Sequence, residues 1–312
     1  MGTKGAVDIV VNVRTPKEMS SGLNPTDETF RKQTRQTNPE LVTGVTMPDY
    51  IKKMDRSGIE RSLLIAVKCG DERIQGTMQL PYERVAEICQ EFPDRFSGLA
   101  GLNPLNGMAE LKLLEKGVKE YGFVGAHYYP HWFDIAPDHP YMFPIYAKCI
   151  ELDIPIMMHV GHNLVYTRDR RLPSCARPIS FDRISILYPE LRLIGIHLGV
   201  PWIDEMISMA WKHENVYFAG DAYAPKHWPA QVIHYANTYG SEKFMFATDW
   251  PVIDVERAAK EVCEHNFRPE SFKKIMRENA VKVFKLPEGG LKAKPNDWAV
   301  NLELYNQHQI IA

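Results

Sequence analysis

The sequence has 312 residues, of which 45% are hydrophobic, so the chain is long enough and apolar enough to bury a large core. Its 37 basic and 39 acidic side chains leave a formal charge of -2, which argues against nucleic acid or an anionic membrane as a partner. No apolar run approaches the roughly 20 residues of a membrane-spanning helix, and the first residues are too polar for a signal peptide. Five scattered cysteines without a CxxC pair lead us to expect reduced thiols and a cytoplasmic protein.

Short apolar runs in the first half of the chain predict four strands, at 7–13, 61–67, 96–102 and 122–127. Apolar residues at helical spacing predict the helices between them, at 47–57, 80–92 and 108–121. Pro48 and Asp49 suit the first turn of the 47–57 helix, and Gly58 suits its end. A long polar stretch from residue 14 to about 45 is either a lid or partly helical, and loops of this length are often functional.

The second half continues the alternation. Predicted strands lie at 154–158, 191–196 and 215–219, and an eighth strand begins at residue 244 and ends at Asp249. Predicted helices lie at 141–152, 179–188, 202–213, 255–264 and 269–284. Strands that alternate with helices imply parallel crossovers, so we expect an α/β fold, a (β/α)8 TIM barrel over residues 1–286. An open doubly wound sheet is the competing topology, but no GxGxxG or GxxxxGK[ST] motif follows any strand.

Residues 287–312 differ in composition from the barrel that precedes them. This tail contains Trp298, Leu302, Leu304 and Tyr305. Large apolar side chains in a tail predict that it packs on the barrel or on a neighbouring subunit, and a partly disordered end is the alternative.

Three of the predicted strands end in residues that can act as a metal ligand, an acid or a base. His159 ends the fifth strand, His197 the sixth and Asp249 the eighth. A parallel barrel gathers the carboxyl ends of its strands at one rim, where active sites of this fold lie. Any one of these side chains alone would suit a structural hydrogen bond, but three at matching positions predict a functional site.

Several short motifs, taken in their order and spacing, resemble one known family. They are the aspartate-led first strand, Gly122-Phe123-Val124-Gly125, Tyr188-Pro189, Thr248-Asp249-Trp250-Pro251 and the run from Asn279 to Phe284. Over about residues 7–286 the chain resembles the amidohydrolase-related family that includes the aminocarboxymuconate semialdehyde decarboxylase group. The resemblance implies a TIM barrel of the metal-dependent hydrolase type, in a group that contains hydroxybenzoate decarboxylases, hydratases and lactonases.

The resemblance also implies a divalent-metal site, and there the chain departs from the family. The usual ligands are an HxH or ExH pair on strand one, a strand-five histidine and a strand-eight aspartate. The last two correspond to His159 and Asp249, and the usual catalytic histidine of strand six corresponds to His197. Val10 and Asn12 stand where the strand-one pair belongs, and a valine or a neutral amide is a poor substitute. We therefore expect no cofactor; the alternative is one weakly held Zn or Mn on His159 and Asp249.

Other side chains near the predicted strand ends are candidate substrate contacts: Asn12, Arg14, His127, Tyr129, His162, Arg177 and Trp250. Either arginine can grip a carboxylate through two hydrogen bonds, with a surface salt bridge as the alternative. Tyr129 and Trp250 can form an aromatic wall around a flat substrate, or simply pack in the core. His127 can stand in for a missing metal ligand, and His162 either faces the substrate or caps its loop.

Functions from two classes fit these residues. The first is a decarboxylase acting on a small carboxylated cyclic or aromatic substrate, a ranking that rests on the resemblance. In it His197 donates the proton and Asp249 is the base or the electrostatic partner, with His159 beside them. Its alternative is a hydrolase of a lactone or amide with Asp249 as base. The second class is a ligand-binding barrel without catalysis. We expect a small-molecule substrate and a homo-oligomer, most simply a dimer.

Overall fold

The computed structural model describes residues 4–22, 28–71, 73, 77–164, 168, 170–291, 294–296, 299–300 and 302. Within them eight parallel strands form one sheet in sequence order. The strands are β1 (Ala6–Asn12), β2 (Ile59–Ala66), β3 (Phe96–Gly101), β4 (Gly125–Tyr128), β5 (Ile156–His159), β6 (Leu193–Ile196), β7 (Val216–Ala219) and β8 (Phe244–Met245). Strands β2 to β6 are buried along their whole length, which explains why their sequences lack polar alternation. The predicted (β/α)8 barrel is confirmed.

Helices fill the connections between the strands. They are α1 (Pro16–Ser20), α2 (Glu28–Gln33), α3 (Glu40–Thr43), α4 (Met47–Ser57), α5 (Tyr82–Glu91), α6 (Met108–Lys119), α7 (Pro130–Phe133), α8 (Phe143–Glu151), α9 (Ser180–Leu187), α10 (Ile203–Lys212), α11 (Ala230–Asn237), α12 (Val255–Cys263), α13 (Pro269–Lys273) and α14 (Asn279–Phe284). A π-helical turn, Lys274–Glu278, joins α13 to α14. Among the described residues, none of these helices has the length and apolarity needed to cross a membrane.

The sequence leaves two possibilities for the polar stretch after β1, and the structure also contains elements that the sequence patterns do not predict. The polar stretch after β1 contains three short helices, α1 to α3, so it is partly helical. A two-stranded antiparallel hairpin, Lys68–Cys69 with Met78–Gln79, follows β2 and is too short for a sequence pattern to reveal. Helix α11 is also new, although its buried Val232, Tyr235 and Ala236 do have helical spacing.

The barrel closes where β1 meets the segment that follows β8. The backbone N–H of Asn12 donates to the Trp250 carbonyl at 3.0 Å, and Val11 bridges to Trp250 in parallel register. Asp8 reinforces this seam from a fully buried position. Its carboxylate accepts from the Thr248 hydroxyl at 2.6 Å and from the Thr248 backbone N–H at 3.0 Å. One side chain on β1 therefore ties the last strand segment to the first.

Part of the predicted tail lies against the C-terminal end of α4. Backbone N–H groups of Asn296 and Val300 donate to carbonyls of Arg56 and Ser57 at 3.1 Å. Gly58 has φ +74°, and a β-carbon there would lie 2.1 Å from the Val300 carbonyl oxygen. Glycine is required for both the turn and the close approach of the chain. Trp298, Leu304 and Tyr305 lie outside the described residues.

Replacing Asp8 with alanine is expected to destabilise the barrel at its seam. The change leaves buried donors of Thr248 without their partner, and each such loss costs about 1–3 kcal/mol. Urea unfolding should show a lower midpoint with a similar slope. Thr248→Val removes the hydroxyl and leaves the Thr248 backbone hydrogen bond to Asp8 in place, so this variant should lose less stability than Asp8→Ala. An Asp8→Ala protein with the parent's midpoint would contradict this view of the seam.

Candidate active site

The three predicted strand-end residues meet at one rim of the barrel. His159 is the last residue of β5, His197 follows β6 directly, and Asp249 follows β8. All three are buried, and the rings of His159 and His197 lie 3.8 Å apart between centroids. The convergence inferred from their positions in the sequence is therefore present in the fold.

His197 lies between two buried carboxylates. Its Nε2 is 3.0 Å from Oδ2 of Asp221 and 3.8 Å from Oδ2 of Asp249. The shorter approach lies off the line of a regular hydrogen bond. Burial alone would lower the pKa of His197, but the charges of Asp221 and Asp249 outweigh burial and raise this pKa above its ordinary value. The site therefore favours a protonated His197.

Backbone strain is concentrated beside these side chains. His197, Leu198, Ala222 and Asp249 all have positive φ, at 68°, 58°, 59° and 56°. Residues with a β-carbon adopt this region at a cost of about 1–3 kcal/mol each, and such strain is typical of functional sites. The strained turns let the side chains of His197 and Asp249 project from the ends of their strands.

Three other histidines lie around this centre and are neutral. Burial lowers the pKa of His127 to about 3 and that of His131 to about 4, and the charge of His197 contributes to both shifts. Burial, with His197 and His131 beside it, also lowers the pKa of His159. Each of the three rings has a buried Nδ1 without a hydrogen-bond partner in the structure. Positive charge among these rings is thus confined to His197.

The second carboxylate oxygen of Asp249, Oδ1, accepts a hydrogen bond from Asn12. Nδ2 of Asn12 donates to this oxygen at 2.7 Å and to the Trp250 carbonyl at 3.1 Å. Both partners are acceptors, so the amide must present its nitrogen to them. Burial raises the pKa of Asp249 to about 6, while His197 and Asn12 favour its charged form and Asp221 opposes it. A carboxyl group with this pKa can exchange a proton near neutral pH.

A cavity of about 450 Å³ opens above these residues. His159, His197 and Asp249 are part of its lining, together with His162, Asn163 and Leu164 after β5. The other walls come from the α2 region and from the segments after β7 and β8, namely Phe30, Gln33, Thr34, Arg35, Gln36, Ala222, Tyr223, Ala224, His227, Val252, Ile253 and Arg257. The polar stretch after β1 therefore covers the site from one side.

The remaining candidate contacts lie at different distances from this cavity. His162 lines it, with Nε2 3.4 Å from the Tyr223 hydroxyl. Tyr129 is nearly buried, and its ring lies 5.2 Å from those of His127 and His159. Neither His127 nor Tyr129 is part of the cavity lining. Arg14 is buried close enough to Asp249 for its charge to lower the pKa of that carboxyl.

Two candidate contacts need correction. Arg177 pairs with Glu205 and packs on the Trp202 ring at the protein surface, so its surface salt-bridge alternative holds. Trp250 is fully buried, with its ring 4.4 Å from that of Tyr50, so it packs in the core rather than along the cavity. Large flat side chains after a strand suit either role, and the sequence does not separate them.

Sequence reasoning missed two residues of this centre. Asp221 received no role, although it follows the apolar β7 strand just as Asp249 follows β8. His131, whose Nε2 lies 3.0 Å from the Gly161 carbonyl oxygen, has its ring 4.2 Å from that of His159. The strand-end pattern could have revealed Asp221, but only the fold brings His131 beneath His159.

Comparison with known proteins identifies the family. A family model described as Amidohydrolase matches residues 70–286. The chain belongs to the amidohydrolase family. The family predicted from the sequence motifs is therefore confirmed.

Relatives of this amidohydrolase-family chain include named decarboxylases. The gamma-resorcylate decarboxylase of Rhodococcus jostii (strain RHA1) is 25% identical over 298 residues, which cover 76% of this chain and 86% of that protein. The 2,6-dihydroxybenzoate decarboxylase from Rhizobium has a similar fold, with a TM-score of 0.68, 20% identity and coverage of 90% of this chain and 99% of that one. A dihydroxybenzoic acid decarboxylase from Polaromonas sp. JS666, solved with manganese and 2-nitroresorcinol, also has a similar fold. Its TM-score is 0.67 and its sequence identity is 20%, and the match covers 92% of this chain and 98% of that one.

The family resemblance implies two metal ligands on the first strand, and the side chains at those positions, Val10 and Asn12, offer a metal ion little. Val10 has no donor atom, and Asn12 directs an N–H group, which has no lone pair to offer, toward Asp249. Among the residues that the structure describes, no three His, Cys, Asp or Glu side chains are grouped to hold a metal ion. The donor set is therefore a poor match for Zn²⁺ or Mn²⁺.

Replacing Asn12 with leucine should raise the pKa of Asp249 above about 6. The hydrogen bond from Nδ2 stabilises the charged carboxylate, and its loss favours the protonated form. The ¹³C chemical shift of the Asp249 carboxyl carbon, followed against pH, measures the change. Asn106→Leu, at an amide that also donates to a carboxylate, that of Glu110, but outside the cavity lining, should leave the titration unchanged. An unchanged or lower pKa in Asn12→Leu would show that this hydrogen bond does not control the carboxyl group.

Proposed function

We propose that this protein is a decarboxylase of a small aromatic carboxylate and that it works without a resident metal ion. The observation that carries the proposal is the position of His197, a buried imidazole between Asp221 and Asp249 in the lining of the cavity. The gamma-resorcylate decarboxylase relatives, which match 76% of the chain, supply the reaction class.

The cavity suits a small aromatic acid. Its volume of about 450 Å³ is within the usual range for small-molecule sites. Phe30, Val252 and Ile253 provide apolar wall for a ring. The substrate's ring carbon that bears the carboxylate belongs at the His197 end, because the proton donor lies in that part of the lining.

The reaction needs one proton and releases carbon dioxide. The proton on Nε2 of His197 moves to the ring carbon that bears the carboxylate. The bond between that carbon and the carboxylate then breaks, and its electron pair restores the aromatic ring as CO2 leaves. His197 regains a proton from water, so no oxidant or reductant is needed. Asp249 holds the imidazolium in place electrostatically and can exchange protons with it.

Absence of a resident metal is the second part of the proposal. The relatives solved with manganese show that such an ion occurs among proteins of this fold. In this chain the loss of the strand-one ligands at Val10 and Asn12 removes much of the affinity expected of such a site. The imidazolium of His197 supplies positive charge at the rim by other means.

We also propose a cytoplasmic location and a homodimer. All five cysteines are free thiols in the structure, as suits a reducing compartment. Trp211 and Tyr239 are 70% and 58% exposed with their rings in contact, an arrangement that a subunit interface would cover. Light scattering of the purified protein measures its molar mass, and the mass of a monomer would contradict the proposed homodimer.

Asp249→Asn is expected to abolish turnover. The change keeps the volume of the side chain and removes the charge that faces His197. Release of CO2 from 2,6-dihydroxybenzoate and from 5-carboxyvanillate provides the assay, with circular dichroism as the folding control. A variant that turns over at the parent rate would contradict the role given to this carboxyl group.

His197→Asn is expected to lower kcat by about 10²- to 10⁴-fold with a smaller change in KM, because a positioned proton donor acts mainly in the transition state. The matched control is His213→Asn, at a histidine that pairs with Asp182 away from the cavity. Equal losses in the two variants would indicate general destabilisation rather than loss of a proton donor.

Elemental analysis is expected to find far less than one Zn or Mn per chain after dialysis. The physical reason is the missing pair of ligands on β1. The double variant Val10→His with Asn12→His should bind more metal, as measured by calorimetric titration with Mn²⁺. One tightly held ion per parent chain would contradict the metal-free proposal.

A further inference from the structure

Asp221 makes two contacts with the same residue. Its Oδ1 accepts the backbone N–H of His197 at 2.7 Å, and its Oδ2 lies 3.0 Å from Nε2 of the His197 ring. Asp221 has no exposed surface. The two oxygens of one carboxylate therefore fix both the backbone and the ring of His197.

The backbone contact is made where the chain is strained. His197 and the following Leu198 both have positive φ, a region that residues with a β-carbon adopt at a cost. The hydrogen bond that the N–H of His197 donates to Asp221 gives it a buried acceptor and stabilises the turn. Without that acceptor, the strained turn would lose a partner that holds it.

The ring contact selects one orientation of the imidazole. Oδ2 of Asp249 lies 3.8 Å from Nε2, whereas Oδ2 of Asp221 lies 3.0 Å from it, so the charge of Asp221 acts on this nitrogen at shorter range even though the approach is off the line of a regular hydrogen bond. Asp249 is already engaged through Oδ1 by Asn12. Asp221 is therefore the better-placed carboxylate to fix the position of Nε2 within the rim.

We propose that Asp221 is a positioning residue that acts on the reaction through His197. It sets the ring so that Nε2 lies between the two carboxylates and faces the substrate's carboxyl-bearing carbon. The inference rests on the proposed function, since it assigns His197 the role of proton donor. It adds a role for the end of β7 that the motifs and the family resemblance do not assign.

Two substitutions separate positioning from simple structural support. Asp221→Asn retains an oxygen for the backbone N–H of His197 but turns an N–H group toward Nε2. Two donors cannot face each other, so the ring must lose its proton at Nε2 or rotate. Asp221→Ala removes both contacts and leaves the backbone donor unpaired. A purely structural role predicts harm from alanine alone, whereas positioning predicts harm from both.

The experiment compares the parent with Asp221→Asn, Asp221→Ala, His197→Asn and the double variant Asp221→Asn with His197→Asn. Asp182→Asn is the matched control, because Asp182 also contacts a histidine, His213, at 2.7 Å but outside the cavity. Kinetic constants for CO2 release and the urea midpoint are measured for each protein. The ¹⁵N chemical shifts of the His197 ring are recorded for the parent, Asp221→Asn and Asp182→Asn.

Positioning predicts that Asp221→Asn lowers kcat by at least about tenfold with KM changed less, while its urea midpoint stays near the parent's. It also predicts that the double variant is no slower than His197→Asn alone, because Asp221 acts through that ring. The Nε2 resonance should move toward the range of an unprotonated ring nitrogen in Asp221→Asn and stay in place in Asp182→Asn.

Parent-like kcat in Asp221→Asn, or an additive loss in the double variant, would overturn the inference. An unchanged Nε2 resonance would overturn it as well. If the parent releases no CO2 from any substrate tried, the proposed function fails. The ring resonance then still tests the inference, because it reports on His197 without turnover.

Discussion

The seam between the first and eighth strands determines where the polar groups of the rim lie. Asp8 ties β1 to Thr248, and the backbone of Asn12 pairs with Trp250. That register puts the Asn12 amide 2.7 Å from Asp249, where it donates a hydrogen bond to that carboxylate. The same seam thus closes the barrel and sets the electrostatics of its site.

Burying two carboxylates near each other is costly unless a positive charge lies between them. His197 provides that charge, and the two carboxylates raise its pKa despite its burial. Burial, with the charge of His197 as a further cause, lowers the pKa values of His127, His131 and His159. A second protonated imidazole among these packed rings would add repulsion without a further carboxylate to offset it. One cation between two anions is the arrangement that this set of side chains best supports.

The sequence predicts the barrel because its short, mostly apolar runs alternate with helical patterns, and three of these runs end in a residue that can act as a ligand, an acid or a base. His159, His197 and Asp249 follow from that pattern together with the family motifs. Arg177 and Trp250 do not, because an arginine near a strand end can pair at the surface and a tryptophan can pack in the core. Asp221 also follows the end of a predicted strand. Its contact with His197, however, depends on the turn at His197, which no local sequence pattern encodes.

The most direct test of a metal-independent decarboxylase measures turnover and metal content on one sample. The protein is treated with a chelator, dialysed and mixed with aromatic acids labelled with ¹³C at the carboxyl carbon, including 2,6-dihydroxybenzoate and 5-carboxyvanillate. Our interpretation predicts labelled CO2 at the rate of the untreated protein, with far less than one metal ion per chain. Loss of CO2 release after chelation, with recovery when Mn²⁺ is added back, would contradict it.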